Sequence, residues 1–421
     1  MDSVSVRKRL GGILLMLSWS LCCASNQSVL VLSDIHLDAN SKHTMALAPN
    51  RVSYLNDLDL PTYQAMIARL RAEIDAGRID KPDYIFLLGD IVGHFLTTKD
   101  AVSKAETLAF RTLKHYFPDT PLVYTFGNHD SFVSNYGPFM SAEKQSPLQV
   151  AKALWPQQEK RGGFVWAKAQ CEQPAQYPCV IASQAEDGYY SAYLANKLRA
   201  IALNSVLFSP KAHAESQLQA GQQQLRWLAK QLEDADKRDE SVLLLMHIPP
   251  GDQIVQSLWN WSSLSFWRNA ELQKFLRLID HYHDAIIGVL AGHTHKDELK
   301  IIRNKAHHVQ MGVYVSGSLA TIYGNAPSIR SYTLHEANHH WSLQDYTVYQ
   351  YYKQQTSEIG LRRLYRYRDY YCTQKAQSIN ACLLEVTAEK MQHHYTLDNK
   401  NFFETFKHPE NILLETKHAH E

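Results

Sequence analysis

Short apolar runs recur along the chain, and several of them break off into residues able to hold a metal ion. Val29 to Ser33 leads into Asp34-Ile35-His36, and Tyr84 to Leu88 into Gly89-Asp90. Leu122 to Phe126 leads into Gly127-Asn128-His129-Asp130, Val242 to Met246 into His247, and Ala285 to Ala291 into Gly292-His293-Thr294-His295. An uninterrupted apolar run of this length, stopped by glycine or a polar residue, predicts a buried strand. Helical spacing appears between the runs: Met66, Ile67, Leu70 and Ile74 predict a helix over Tyr63 to Ala76, and Leu225, Leu228 and Leu232 one over Gln222 to Leu232. Lys104 to Tyr116, stopped at Phe117-Pro118, and Pro147 to Leu154 are further expected helices. Ala39 to Pro61 is expected to be an irregular polar loop, Arg199 to Asn204 a strand, and Gly162 to Ser191 a hairpin-rich excursion. Strands alternating with helices predict a layered α/β domain.

The texture changes near Asp345. Tyrosines crowd with basic residues in Tyr349-Gln350-Tyr351-Tyr352-Lys353 and Leu364-Tyr365-Arg366-Tyr367-Arg368. This predicts a catalytic domain over 28–344 and a small amphipathic helical subdomain over 345–421, its basic tips reaching solvent past packed rings.

Composition alters this picture in three respects. The chain has 421 residues, 45% of them hydrophobic, enough for a large core. The formal charge is only +1, so no basic excess argues for a nucleic-acid polymer. Arg7-Lys8-Arg9, the apolar run Leu10 to Cys22 and the small residues Cys23-Ala24-Ser25 have the three parts of a secretory leader, expected to occupy 1–24. Its apolar run is shorter than the roughly 20 residues of a membrane span. The chain is therefore expected to be secreted or periplasmic. Four cysteines remain after such a leader, and an even number in an exported chain predicts two disulfides. Proximity favours Cys171 with Cys179 and Cys372 with Cys382, although four cysteines allow three connectivities.

The ligand-type residues carry the chemistry. In open α/β sheets ligands collect beyond the carboxyl ends of strands, where all these blocks lie. Imidazoles, carboxylates and an amide without thiolate suit zinc, manganese or iron. Asp90 is the candidate bridge, because a carboxylate can face two ions and an imidazole cannot. A pair of metals roughly 3.5–4 Å apart suits in-line displacement at phosphorus.

In this order, Asp34-x-His36, Gly89-Asp90, Gly127-Asn128-His129-Asp130, His247 and Gly292-His293-x-His295 resemble the calcineurin-like metallophosphoesterase signature. Within that superfamily the chain resembles the acid sphingomyelinase-like phosphodiesterases, through His94 after Asp90, His247-Ile248-Pro249-Pro250-Gly251, and Asn325-x-Pro327-Ser328-x-Arg330. The resemblance implies a layered sandwich of two mixed β-sheets flanked by helices. It implies two divalent ions, zinc the first choice, one held by Asp34, His36, Asp90 and His295 and the other by Asp90, Asn128, His247 and His293. It implies hydrolysis of phosphoric esters by a hydroxide generated at the metals. His129, oriented by Asp130, would contact the phosphoryl oxygen and protonate the leaving group, and His94 would be a second histidine near the phosphate. Acid sphingomyelinases carry a lipid-extracting saposin domain. Here the first catalytic strand is expected directly after the leader, so small-molecule nucleotides and sphingomyelin both stay open as substrates. Membrane contact is not implied, and nothing in the pattern assigns an oligomeric state. A phosphomonoesterase is a near alternative, since the same metal core serves both reactions. An inactive binding protein is a remoter one, because no ligand position is lost. Trp259, Trp261, Phe266 and Trp267 read as a capping loop, or as aromatics that stack a base, cradle a choline or touch a lipid surface.

Overall fold

The runs Val29–Leu32 and Tyr84–Leu87 are buried at every position, as strands must be when both faces of their sheet are covered. In the computed structural model, which describes residues 25–41, 57–155, 162–172, 176–253, 264–304, 308–322, 326–353, 358–373, 378–386 and 413–415, they sit side by side in a seven-stranded sheet. Its spatial order is Ile359–Arg366, His340–Lys353, Ser328–Ala337, Ser25–Leu32, Tyr84–Leu87, Pro121–Tyr124 and Gly163–Phe164. The strands from Ser25–Leu32 to Gly163–Phe164 run parallel, and the three on the other side are antiparallel to their neighbours. The register pairs Leu32 with Leu87 and Leu87 with Tyr124, so these strands end level with one another.

The second sheet has eight strands, in the order Leu413–Glu415, Glu298–Arg303, Val309–Val315, Ile286–Ala291, Ser241–Leu245, Leu198–Ala202, Tyr189–Ala195 and Cys179–Gln184. Leu245 pairs with both Ala202 and Leu290, and Ala291 pairs with Val315. The parallel strands again finish at a common edge. Both sheets are mixed, as expected. Helices Leu60–Asp75, Lys99–Tyr116 and Pro147–Leu154 belong to the first sheet's side, and Glu215–Lys237 and Asn269–His281 to the second's. The sheets meet through the His340–Lys353 strand: Trp341 donates from its indole to the Asn196 carbonyl (2.8 Å), and a Cβ on Gly288 would strike Leu343.

The expected helical subdomain is replaced by strands. His340–Lys353 and Ile359–Arg366 extend the first sheet, and the helices there among the described residues are two short ones, Tyr367–Tyr371 and the 3₁₀ segment Ala381–Glu385. The cause lies in the backbone. Thr333 pairs with Asp345 and Leu334 with Leu343, which leaves Gln344 as an extra residue. Such a bulge moves the buried set from Trp341 and Leu343 to Tyr346, Val348 and Gln350. A second shift, which leaves Leu364 as an extra residue where Val348 pairs with Tyr365 and Tyr349 with Arg363, breaks the alternation of the next strand too, so both resemble an amphipathic helix.

Both favoured disulfides are present, Cys171–Cys179 and Cys372–Cys382. The second closes a turn that Asn380 fastens to the core, donating to the Ile287 carbonyl and accepting from the Tyr314 hydroxyl (2.8 Å each). Replacing Cys372 and Cys382 by serine is expected to lower stability by about 2–3 kcal/mol, the entropy of closing so short a loop. A urea midpoint unchanged under non-reducing conditions would contradict it. The expected leader and Trp259 to Trp261 lie outside the described residues.

Candidate metal centre

The strand ends level in each sheet put their terminal residues along one seam. The backbone there is tightly wound. Asp34, His36, Asp90, His293 and His295 all have positive φ, between 43° and 75°. That region is uncommon for side-chain-bearing residues, and strain of this kind clusters at functional sites. Hydrogen bonds lock the turns together: Asp34 N to Gly89 O (3.1 Å), His36 N to Asp90 O (3.0 Å), and Gly292 N to His247 O (2.9 Å). Glycine is required at Gly127, where a Cβ would meet the Asp90 backbone, and at Gly292, where it would meet Ser33. The Asp34 carboxylate accepts from the His293 amide at 3.1–3.2 Å, joining a first-sheet residue to a second-sheet loop.

These turns bring six of the seven expected ligands, Asp34, His36, Asp90, His247, His293 and His295, to one cluster, and Asn128 stands on the turn whose His129 amide donates to Asp90 Oδ1 (2.8 Å). Asp90 Oδ2 lies 3.1 Å from His247 Nε2 and 3.6 Å from His36 Nε2, so its carboxylate stands between two groups of imidazoles. On one side His36 Nε2 is 3.0 Å from His295 Nε2, and Asp34 Oδ1 is 3.8 Å and 3.5 Å from them. On the other, His247 Nε2 is 3.3 Å from His293 Nδ1. Asn128 holds Asn135 through its Nδ2 (2.8 Å), while its buried Oδ1 has no hydrogen-bond partner. A buried carbonyl oxygen left unpaired costs about 1–3 kcal/mol. The convergent imidazoles and carboxylates without a thiol, together with a buried, unpaired oxygen on the adjoining turn, fit a pair of divalent cations.

The electrostatics agree with this fit. Burial pushes His36 and His295 well below the ordinary imidazole range, keeping their nitrogens as acceptors suited to ligation. Burial, then the neighbouring His247 with Lys211 adding to it, lowers His293 to about 3. Burial would lower His247 too, but the facing Asp90 carboxylate outweighs it and raises His247 to about 9.

Asp130 differs from the sequence expectation. Its carboxylate accepts from the backbone amides of Asp90 (3.0 Å), Ile91 (2.7 Å) and Gly127 (3.0 Å) and from the Tyr124 hydroxyl (2.9 Å). It therefore shapes the turn carrying Asp90, and among the described residues no carboxylate hydrogen-bonds the His129 ring. The paired histidine is His94, whose Nδ1 meets Asp57 Oδ1 at 2.7 Å and whose amide donates to Asp57 Oδ2 at 2.6 Å. The His94 ring stacks on His36 with centroids 3.8 Å apart and lies 4.5 Å from His129. Asp57 escaped sequence reasoning because it stands at the end of a polar loop with no motif around it.

Two supports complete the site. Past His295, Asp297 forms a buried ion pair with Arg330 and accepts from the Tyr365 hydroxyl (2.5 Å), so the strands misread as helices brace the metal-ligand loop. Across the cluster from His94, the Tyr136 ring lies 6.5 Å from His293, edge-on, and Phe266 lies 5.3 Å from it.

Comparison with known proteins places this cluster. The model of the family "Calcineurin-like phosphoesterase" matches residues 28–297. Acid sphingomyelinase-like phosphodiesterase 3b of Mus musculus is 24% identical over 69% of this chain and 62% of its own length. Sphingomyelin phosphodiesterase 1 of Caenorhabditis elegans is 23% identical over 78% of this chain and 57% of its own. The chain thus spans about three-fifths of the length of these relatives. Among solved structures, a dimetal phosphatase from Danio rerio is similar at TM-score 0.45 and 13% identity, over 80% of this chain and 98% of that one. The family match opens before Asp34 and closes after His295, so it takes in every residue of the cluster, and the chain belongs to the calcineurin-like phosphoesterase family.

Proposed function

We propose that this chain is an exported binuclear-metal phosphodiesterase that hydrolyses phosphoric diesters. The observation that carries this reading is the Asp90 carboxylate standing between two imidazole groups, with the buried, unpartnered Asn128 oxygen carried on the adjoining turn. Asp34, His36, Asp90 and His295 would hold one cation and Asp90, Asn128, His247 and His293 the other, zinc being the first choice. When bound, two such cations supply charge stabilisation for the phosphoryl oxygens and a water of lowered pKa. The chain's own residues do the rest. Water attacks phosphorus in line, the bond from phosphorus to the leaving oxygen breaks, and that oxygen takes a proton. His94 is the proposed donor, because Asp57 holds its ring through Nδ1 and the ring lies against His36 and His129 at the edge of the cluster. His129, whose ring packs against those of His36 and His94, would lie against the phosphoryl oxygens. The two disulfides support an oxidising, extracytoplasmic compartment.

Elemental analysis of the purified chain is expected to find two metals per molecule. Assays on a phosphodiester, a phosphomonoester, a nucleoside triphosphate and sphingomyelin are expected to favour diesters. A chain that binds no metal overturns the reading, and one that cleaves only monoesters replaces it by a phosphatase.

A further inference from the structure

The flank of the cluster opposite His94 carries a fixed positive charge. Lys211 Nζ stands over the Tyr136 ring, 4.9 Å from its centroid and 3.4 Å from its hydroxyl, and that ring faces His293. Both ends of the pair are held. Tyr136, with φ of 59°, donates its amide to the Asn128 carbonyl (2.9 Å), and its carbonyl accepts from Gln217 (3.0 Å). The turn that presents Lys211 is fastened by Arg268, whose guanidinium caps the carbonyls of Leu207, Ser209 and Ala212. Among the described residues no carboxylate forms an ion pair with Lys211. An exposed lysine is ordinarily a solvated surface charge. This one is set on an anchored turn, over an aromatic face, one ring away from a metal-ligand candidate.

We propose that Lys211, seated on Tyr136, selects phosphoric esters that bear a second anionic group, such as a further phosphate, on the portion of substrate lying across the cluster from His94. This rests on the phosphodiesterase reading, since it is the proton donor on the His94 flank that puts the other ester substituent on the Tyr136 flank. Charge logic sets the sign. A quaternary ammonium such as choline is held over an aromatic face free of other cations. Here the ammonium of Lys211 already occupies the Tyr136 face, so a choline group meets repulsion where a phosphate meets attraction.

The test uses the full chain and three diesters with the same nitrophenolate leaving group: 4-nitrophenyl phosphorylcholine, bis(4-nitrophenyl) phosphate, and the 4-nitrophenyl ester of thymidine 5'-phosphate carrying a 3'-phosphate. The ratio of kcat/KM for the 3'-phosphorylated ester to that for the choline ester is expected to exceed one. Lys211→Gln should lower it about fivefold, the size of an exposed charge pair, Lys211→Glu should lower it further, and Lys211→Arg should restore it. Added salt should compress the ratio in the wild type and much less in Lys211→Gln. A ratio unmoved by Lys211→Gln overturns the proposal. If the wild type cleaves none of the three, the phosphodiesterase reading falls. Lys211 is then judged by calorimetric binding of thymidine 3',5'-bisphosphate, where equal affinity of wild type and Lys211→Gln overturns it and a weaker variant sustains it.

Discussion

Asp90→Asn is expected to strip metal from both positions and to lower kcat by about 10³-fold or more, the several kcal/mol that metal ions supply to a charged transition state. The substitution removes one unit of charge and little else. Asparagine has nearly the same shape, tolerates the left-handed backbone that Asp90 adopts at φ of 52°, and can still accept from the His129 amide that now donates to Asp90 Oδ1 (2.8 Å). The backbone amides of the turn remain tied to Asp130. The fold should therefore survive, as circular dichroism would show, while the groups around His36 and His247 lose the anion between them. Elemental analysis on the same preparation is the decisive measurement. Two metals with wild-type turnover would mean that Asp90 is not shared.

The second large effect separates the two histidines on the proton-donating flank. His94→Ala and Asp57→Asn are expected to reduce kcat by about 10²–10⁴-fold on a diester with a poor alkoxide leaving group, the usual weight of a general acid. Both should cost far less with nitrophenolate, which departs almost unaided. Asp57→Asn matters as much as loss of the ring because an amide that donates to Nδ1 leaves the histidine with the wrong tautomer. The structural ground is the 2.7 Å contact between His94 Nδ1 and Asp57. His129→Ala should slow both substrates alike, as loss of a group lying against the phosphoryl oxygens would. If His129→Ala is the variant sensitive to the leaving group, the role expected from the sequence is the right one and His94 is a positioning residue.

What the sequence made legible and what it hid divide along physical lines. The ligand cluster was readable because each ligand follows an uninterrupted apolar strand, and level strand ends bring distant residues together. The short-range rule that a buried strand stops at glycine or at a polar residue was enough. Asp57 was hidden because its partner is distant in sequence and no local pattern marks a residue that pairs across a loop. The role of Asp130 was misplaced for a related reason. Adjacency to His129 suggested contact with that ring, yet the carboxylate turns toward the amides of Asp90 and Ile91. The last strands were misread because an extra residue in each, Gln344 and Leu364, shifts the buried face along the strand, and period alone cannot tell that shift from a helical stripe.

The seam on which the cluster lies has a mechanical consequence. Asp34, His36, Asp90 and Asn128 stand at the ends of first-sheet strands, whereas His247, His293 and His295 stand at the ends of second-sheet strands. An ion shared among them would rivet one half of the sandwich to the other. His247 Nε2 of the second sheet and Asp90 Oδ2 of the first approach to 3.1 Å across this seam, so a shared ion would be held from both sides. Because a ligand that binds only the folded chain adds about 2.7 kcal/mol at a hundred times its dissociation constant, chelation should do more than silence turnover. It should let the two sheets part first along this edge, and amide exchange near Ser33 and Gly292 should quicken together while the disulfide-closed turn stays protected.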